Sequence, residues 1–153
     1  SAAALVGQNL GAGKPERASD AVKLACMVNF IVLSFATLLL YFGSEFMVNL
    51  FIEDATAAEH GIFSLKVISL GLVFYGWGMV FLHSINGAGD TKTPTKLNFL
   101  IFWIIELPLA YVLAFSSGLG DAGIYWAIVL SETTLSLLAA RIFMRGKWKE
   151  VAV

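Results

Sequence analysis

Four long apolar stretches, separated by short polar segments, set the pattern of this chain. A helix that crosses a bilayer needs about 20 predominantly apolar residues. We therefore predict the tail of one helix at 1–11, followed by four membrane-spanning helices at 18–43, 60–86, 94–116 and 122–143. These runs are much longer than the strands of a transmembrane barrel, which are about ten residues of alternating hydrophobicity. The predicted fold class is an all-α membrane protein.

The composition supports a bilayer environment. The chain is 58% hydrophobic and only 14% charged, whereas soluble domains carry about 25% charged residues. The net charge of −1 gives no reason to expect nucleic acid as a partner, so the predicted partner is the lipid bilayer. Because the chain opens at Ser1 inside a helical pattern, we expect residues 1–153 to be a fragment of a longer protein.

The basic residues predict how the helices are oriented. Nine of the ten Lys and Arg residues fall in alternate connections, and the exception is Lys66, near the start of the second span. The nine are Lys14, Arg17, Lys23, Lys92, Lys96, Arg141, Arg145, Lys147 and Lys149. Basic residues are enriched in the cytoplasmic connections of membrane proteins. We therefore predict a multi-pass protein with a cytoplasmic C-terminus, where Trp148 anchors the chain at the membrane interface.

Two polar corners share the letters Gly-Ala-Gly, followed by a charged segment that contains proline. The first corner is 9–17 and the second corner is 86–94. Glycine can take the left-handed conformation that ends a helix, Asp or Thr can cap the next helix, and proline is tolerated in the first turn. For the second corner, Asp90 and Thr91 are alternative capping residues. A structural role is predicted for Gly11, Gly13, Pro15, Gly87, Gly89, Asp90, Thr91 and Pro94.

Small residues recur in two of the predicted helices. Ala3, Gly7 and Gly11 follow each other at four-residue spacing. The second predicted span contains Gly71, Gly76 and Gly78. Small residues let neighbouring helices approach closely in a membrane. Close packing is therefore expected, and for the second set a hinge is the alternative.

Two acidic residues interrupt the third and fourth spans. Glu106 lies ten residues from Lys96, and Glu132 lies nine residues from the next basic residue. At about 1.5 Å per residue, both fall near the midplane of a hydrocarbon core about 30 Å thick. The two helices are consecutive and antiparallel, so the carboxyls lie close together if their faces match. Two interpretations stay open, namely coupling of transport to an ion or proton and a buried structural hydrogen bond.

Pro108 follows Glu106 by two residues, inside the third predicted span. It removes one backbone donor from the helix and predicts a kink. An acid beside a kink near the midplane resembles the broken helices of secondary transporters, whose binding sites form at that depth.

No pattern in the sequence indicates an enzyme, a metal site or a cofactor. His60 and His83 lie at opposite ends of the second span and cannot share an ion. Gln8 and Pro15 stand where a phosphate-binding loop needs Gly and Ser or Thr. The lone Cys26 cannot form a disulfide within the chain. We predict a protein that is not an enzyme and that has no cofactor beyond a coupling ion.

Several motifs resemble those of the multidrug and toxic compound extrusion (MATE) family. The segment 6–18, VGQNLGAGKPERA, is similar to the family's segment after the second helix of a lobe. The segment 86–94, NGAGDTKTP, is similar to its corner between the fourth and fifth helices. The segments 108–111, PLAY, and 145–149, RGKWK, are similar to its closing helices and tail. The resemblance covers essentially the whole chain.

The resemblance implies two six-helix lobes around a central cavity, with this chain as the C-terminal lobe from the end of its second helix onward. It implies a bacterial inner-membrane exporter of drugs or toxic, often cationic, organic compounds by antiport with Na⁺ or H⁺. The implied partners are the N-terminal lobe of the same protein and a small organic substrate. Some members carry an acid on the fourth helix of this lobe, but 66–86 has none, so coupling is expected at Glu106, at Glu132 or in the other lobe. The alternatives are a related lipid-linked oligosaccharide flippase and a non-transporting membrane scaffold.

Overall fold

The computed structural model describes residues 2–150, and the regular structure in this range is helical. The elements are α1 (Ala2–Gly11), α2 (Pro15–Asn49), α3 (Ala55–Gly87), α4 (Lys92–Phe99), a π-helical segment (Leu100–Glu106), α5 (Leu107–Tyr111), a second π-helical segment (Val112–Ser116), α6 (Asp121–Met144) and a 3-10 turn (Lys147–Glu150). The run from α4 to the second π segment is one continuous helix, Lys92–Ser116, which we call the π-containing helix. Together with α2, α3 and α6 it gives four helices long and apolar enough to cross a membrane. The predicted all-α membrane fold class is confirmed.

Helices α3 and α6 form the centre of the bundle. Helix α2 packs on α3, the π-containing helix packs mainly on α6, and α1 contacts α2 and α3. The helices differ in how much of their most apolar 18-residue stretch is buried. This fraction is 33% in α3 and also in α6, whereas it is 0% in α2 and 6% in the π-containing helix. The two flanking helices therefore present large apolar side chains outward, such as Phe42 and Phe46. Exposed apolar surface of this extent is the surface that lipid or another part of a membrane protein covers.

The glycines of α3 bring the three central helices together. A Cβ on Gly71 would lie 3.2 Å from the side chain of Val129, and one on Gly78 would lie 3.2 Å from the Cα of Ser136, both on α6. Gly76 faces the other way, where a Cβ would overlap side chains of α2. These contacts give the three glycines a packing role, as expected for small residues between membrane helices.

The connection between α2 and α3 is shorter than the sequence pattern suggests. Helix α2 continues past 43 to Asn49, and α3 begins before 60 at Ala55, so the connection comprises only 50–54. Asp54 caps α3, because its Oδ1 accepts a hydrogen bond of 2.8 Å from the backbone N of Ala57. A helix satisfies its own backbone hydrogen bonds, and it can therefore continue beyond the apolar run from which it was predicted.

One end of the bundle is held by a tightly packed cluster, which we call the corner core. It consists of Val6, Ala18, Val22, Val80, Ile85, Ala88, Phe143 and Trp148. The Trp148 ring stacks on Phe143 at 4.6 Å, and its Nε1 donates a 2.8 Å hydrogen bond to the Phe143 carbonyl. With 3% of its surface exposed, Trp148 is not an interfacial anchor, and that prediction is wrong. The 3-10 turn folds the indole back onto the core.

Both corners turn at a glycine with positive φ. Gly13 has φ +68° and Gly89 has φ +95°, in the left-handed region that favours glycine. Pro15 opens α2 and Pro94 lies in the first turn of α4. Of the two capping candidates at the second corner, Asp90 is the one that caps, since its Oδ1 accepts a 3.0 Å hydrogen bond from the backbone N of Thr93. The other candidate, Thr91, makes no side-chain cap and instead accepts at its carbonyl a hydrogen bond from the hydroxyl of Thr95.

Gly11 and Gly87 belong to the same motif but have different surroundings. Gly11 is the last residue of α1, and a Cβ there would meet nothing within 4 Å. A Cβ on Gly87 would fall 2.3 Å from the carbonyl oxygen of Ala3. Across the same contact, a Cβ on Gly7 would lie 3.1 Å from the carbonyl oxygen of Gly87. Gly87 therefore marks the point where α1 crosses the end of α3.

Candidate functional site

Glu132 lies half-buried on α6 and lines a groove between α3 and α6. The groove has a volume of about 270 Å³ and is lined by Ile68, Gly71, Leu72, Tyr75, Ile128, Val129 and Glu132. Among these lining residues, Glu132 is the one acid and Tyr75 is the one other side chain with a polar group. An acid in a groove that is otherwise apolar is an uncommon arrangement inside a membrane, and such groups mark ion or substrate pathways.

Helix spacing explains why these side chains share one groove. Ile68, Leu72 and Tyr75 recur at intervals of four and three residues on α3, which places them on one face of the helix. Ile128 and Glu132 recur at an interval of four on α6. The close contact of Gly71 with Val129 draws the two helices together beside the groove, because glycine leaves room for the partner side chain.

Glu106 ends the first π-helical segment and is also half-buried. The first π-helical segment, which ends at Glu106, packs against α6, the helix that carries Glu132. The structure therefore places the two predicted acids on neighbouring helices that contact each other. Among the side chains of residues 2–149, the close contacts between basic or His groups and acids are those of Lys23 with Asp20, His60 with Asp121 and Lys149 with Glu16, so neither intramembrane acid takes part in one.

Pro108 lies in α5, the short α-helical stretch between the two π segments. At the boundary before it, the backbone N–H of Leu107 bonds to the carbonyl of Phe102, five residues back. After the second π segment, the backbone N–H of Ser117 likewise bonds to the carbonyl of Val112, five residues back. π-helical turns are rare and are frequently found at functional sites. The structure thus places Glu106 where the backbone changes from π to α geometry, and the predicted kink at Pro108 remains a prediction.

The opposite end of the bundle from the corner core carries a polar link between the same two central helices. His60 near the start of α3 and Asp121 at the start of α6 approach to 2.6 Å between Nδ1 and Oδ2. Both side chains are about half exposed. Within the described range 2–150, no group of three or more His, Cys, Asp or Glu side chains is placed to hold a metal ion.

Neither Tyr75 nor the two π segments could be recognised in the sequence as parts of this site. Tyr75 lies in a uniformly apolar run. Its spacing from Ile68 and Leu72 places the three on one face of α3, but only the structure shows that this face meets α6. The one signal that could have indicated irregular geometry is Pro108, which demands a local adjustment of the helix that contains it.

Four membrane-length helices around two intramembrane carboxyls define a multi-pass helical membrane protein. The family model described as MatE matches residues 1–112 of the chain. Since this is well over half of its length, the chain belongs to the MatE family, and the predicted family is confirmed.

Curated relatives match nearly the whole chain. A protein named "Probable multidrug resistance protein NorM" from Thermotoga maritima is 24% identical over 97% of this chain and 32% of its own length. A protein of the same name from Pseudomonas aeruginosa is 25% identical over 94% of this chain and 30% of its own length. "Probable multidrug resistance protein YpnP" from Bacillus subtilis is 26% identical, with 95% and 32% covered. The chain thus spans about a third of the length of these relatives. No solved structure matches it significantly.

Proposed function

We propose that this chain is part of the C-terminal lobe of a transporter that exports drugs or toxic organic compounds, many of them cationic, in exchange for Na⁺ or H⁺. Members of the MatE family are transporters rather than enzymes. Relatives named as multidrug resistance proteins match nearly all of the chain. The observation that carries the ion-coupling part of the proposal is Glu132, an acid in the apolar groove between α3 and α6.

The chemistry of the groove favours an exchange of cations. An ionised Asp at the centre of a membrane helix costs about 2.5–3.5 kcal/mol, and a Glu carboxylate has the same charge. A proton or Na⁺ at Glu132 removes that cost, and a second acid, Glu106, lies on the helix segment that packs against α6. Release of the ion restores the negative charge. A hydrophobic cation then binds well, since the rest of the groove is apolar and carries the Tyr75 ring.

Antiport also needs a conformational change that distinguishes ion from substrate. A ligand shifts a conformational equilibrium only through its different affinities for the two states. The π-containing helix is the element we expect to move, because Pro108 lacks a backbone donor and π segments flank α5. Glu106 lies on this helix and Glu132 on α6, so a bend near Pro108 changes the distance between the two acids.

We propose an inner-membrane location with both corners and the C-terminus in the cytoplasm. The positive-inside distribution of Lys and Arg supports this orientation. A further support is that the corner core joins Val6 and Ala18, which flank the first corner, and Ala88 of the second corner to Trp148. Lys149 also bonds across to Glu16 at 2.9 Å, so the chain's last helical turn lies at the same end as the first corner.

The proposed partners are lipid and the other lobe of the transporter. Helix α2 and the π-containing helix expose many large apolar side chains. In the whole protein these surfaces contact the bilayer and the N-terminal lobe, and the substrate binds between the lobes.

Dye efflux by the full-length protein tests the coupling role. We expect Glu132→Gln to reduce gradient-driven export of a cationic dye by about tenfold or more, because a loss of about 1.4 kcal/mol in ion binding is a factor of ten. Glu106→Gln is expected to shift the pH or Na⁺ dependence of export. Glu59→Gln is the matched control, because Glu59 is an exposed acid near the start of α3 and does not line the groove. Wild-type export with unchanged ion dependence in both Glu132→Gln and Glu106→Gln would refute the proposal.

The identity of the coupling ion needs a separate measurement. Vesicles containing the full-length protein are given either a Na⁺ gradient without a pH difference or a pH difference without Na⁺. One of the two gradients is expected to drive dye export, and Glu132→Gln to abolish the response to that gradient. Export that responds to neither gradient would contradict the antiport proposal.

A further inference from the structure

A second cavity lies near the corner core, away from the Glu132 groove. It has a volume of about 640 Å³ and is a cleft between α2 and α6. Both helices pack extensively on α3 and scarcely touch each other. Trp77 and Phe81 of α3 form the floor, and the 3-10 turn closes one end with Trp148. The cleft opens on the bundle surface beside Leu137, which is 61% exposed.

The charged groups that line this cleft are two lysines. Lys23 comes from α2 and Lys149 from the 3-10 turn. Each lysine forms an ion pair with one acid that does not line the cleft. Lys23 Nζ lies 2.9 Å from Asp20 Oδ1, and Lys149 Nζ lies 2.9 Å from Glu16 Oε1. An ammonium group has three donors, so each lysine can keep its carboxylate and still donate to a further oxygen.

The segments that carry these two lysines have a positive net charge. In 14–23 and 141–150 the acids Glu16, Asp20 and Glu150 are outnumbered by seven basic residues, which are Lys14, Arg17, Lys23, Arg141, Arg145, Lys147 and Lys149. Below the mouth, the cleft is walled by apolar and aromatic side chains, including Phe81 and Leu137. The cleft therefore combines a cationic rim with an apolar interior that opens sideways.

We propose that this cleft binds an anionic phospholipid. The lipid phosphate lies between Lys23 and Lys149, and one acyl chain runs along Trp77, Phe81 and Leu137. Basic pockets between membrane helices recognise anionic head groups in this way, while the apolar wall takes the chain. A cationic drug fits poorly because the rim repels it. The lipid would stabilise the contact between α2, α6 and the 3-10 turn, which direct helix packing leaves open.

Native mass spectrometry of the full-length protein tests this site. The purified protein is titrated in detergent with phosphatidylglycerol, and separately with zwitterionic phosphatidylcholine of the same chains. We expect retention of phosphatidylglycerol to fall about fivefold for Lys23→Gln or Lys149→Gln and about 25-fold for the pair, since each basic group near an anionic surface contributes about that factor. Lys92→Gln with Lys96→Gln is the matched control, because it removes the same charge from the second corner and α4, outside the cleft.

A steric pair tests the apolar part of the site without changing charge. Ala140→Phe fills the cleft and is expected to abolish retention of phosphatidylglycerol. Val32→Phe adds the same bulk at an exposed position of α2 and is expected to leave retention unchanged. The proposal is overturned if the wild type retains neither lipid, which would mean that another segment fills the cleft. Equal retention of both lipids, or unchanged retention in the double lysine variant, would overturn it too.

These measurements use no ion gradient and keep Glu132 intact. Failure of the lipid proposal therefore leaves the transport proposal untouched, and the reverse also holds.

Discussion

The first and second corners share the letters Gly-Ala-Gly, yet the central alanine is exposed in one and buried in the other. Ala12 lies on the surface, whereas Ala88 is 0% exposed and belongs to the corner core. The second glycine behaves alike in the two motifs, since Gly13 and Gly89 both have positive φ. The first glycine differs, because Gly11 faces open space and Gly87 touches the backbone of Ala3.

This comparison separates two reasons for glycine in one motif. The second glycine serves the chain's own turn, which depends on local backbone sterics and so repeats wherever the letters repeat. The first glycine of the second corner, Gly87, allows α1 to cross the end of α3. This contact depends on a segment that is distant in sequence. Three predictions follow the comparison from its largest effect to its smallest.

Gly87→Ala is expected to be the most destabilising of the corner substitutions. Its Cβ would lie 2.3 Å from the Ala3 carbonyl oxygen, so backbone must move, and overpacking of this kind costs typically about 1–3 kcal/mol. Gly11→Ala is the matched control and should be neutral or stabilising by up to about 1 kcal/mol, since alanine favours a helix over glycine. Thermal unfolding of the purified full-length variants measures both. Equal melting temperatures for the two variants would contradict the assignment of the crossing to Gly87.

Gly13→Ala and Gly89→Ala should cost similar amounts, about 1–2 kcal/mol each, because an L-residue is strained in the left-handed conformation. The same unfolding measurement applies. If Gly13→Ala were tolerated while Gly89→Ala was not, the turn itself would not be the common cause of the loss.

Asp90→Ala is expected to cost about 1 kcal/mol through loss of the helix cap. At the first corner, Lys14 precedes α2 without a side-chain cap, so Lys14→Ala is the control and should change little. Hydrogen bonding by Thr93, chiefly through its side chain and also through its backbone N–H, holds the pKa of Asp90 below its ordinary value. The stabilisation is therefore present above the ordinary Asp pKa and is lost as the pH falls through the lowered value.

Unfolding of Asp90→Asn against pH checks that sign. The variant is expected to lose part of the wild type's decline in stability between about pH 4 and more acidic values. A wild-type decline that persists unchanged in the variant would show that the Asp90 carboxylate contributes nothing to it.

Local features of the fold could be predicted from the sequence, and contacts between distant segments could not. The turns at Gly13 and Gly89 follow from letters that lie side by side. Counting from Lys96 and Arg141 placed Glu106 and Glu132 at similar depths, but their facing could not be deduced. Neither helix has a continuous polar stripe along one side, so the sequence does not indicate which face meets which neighbour.

The same limitation explains the features that sequence reasoning missed. The sequence around Trp148, just after the last span, is compatible with a side chain that anchors at the membrane interface and equally with one that folds back onto Phe143. The π segments around α5 lie in a run so uniformly apolar that a period of 3.6 residues and a longer one leave the same pattern.

Ion release on substrate binding tests the central claim about Glu132 most directly. The purified full-length protein, in weakly buffered solution with a pH indicator or preloaded with radioactive Na⁺, is mixed with the hydrophobic cation tetraphenylphosphonium. We predict that binding releases a proton or a Na⁺ ion from the wild type and from Glu59→Gln, but not from Glu132→Gln. Equal release from Glu132→Gln and the wild type, or binding without release of either ion, would contradict the account.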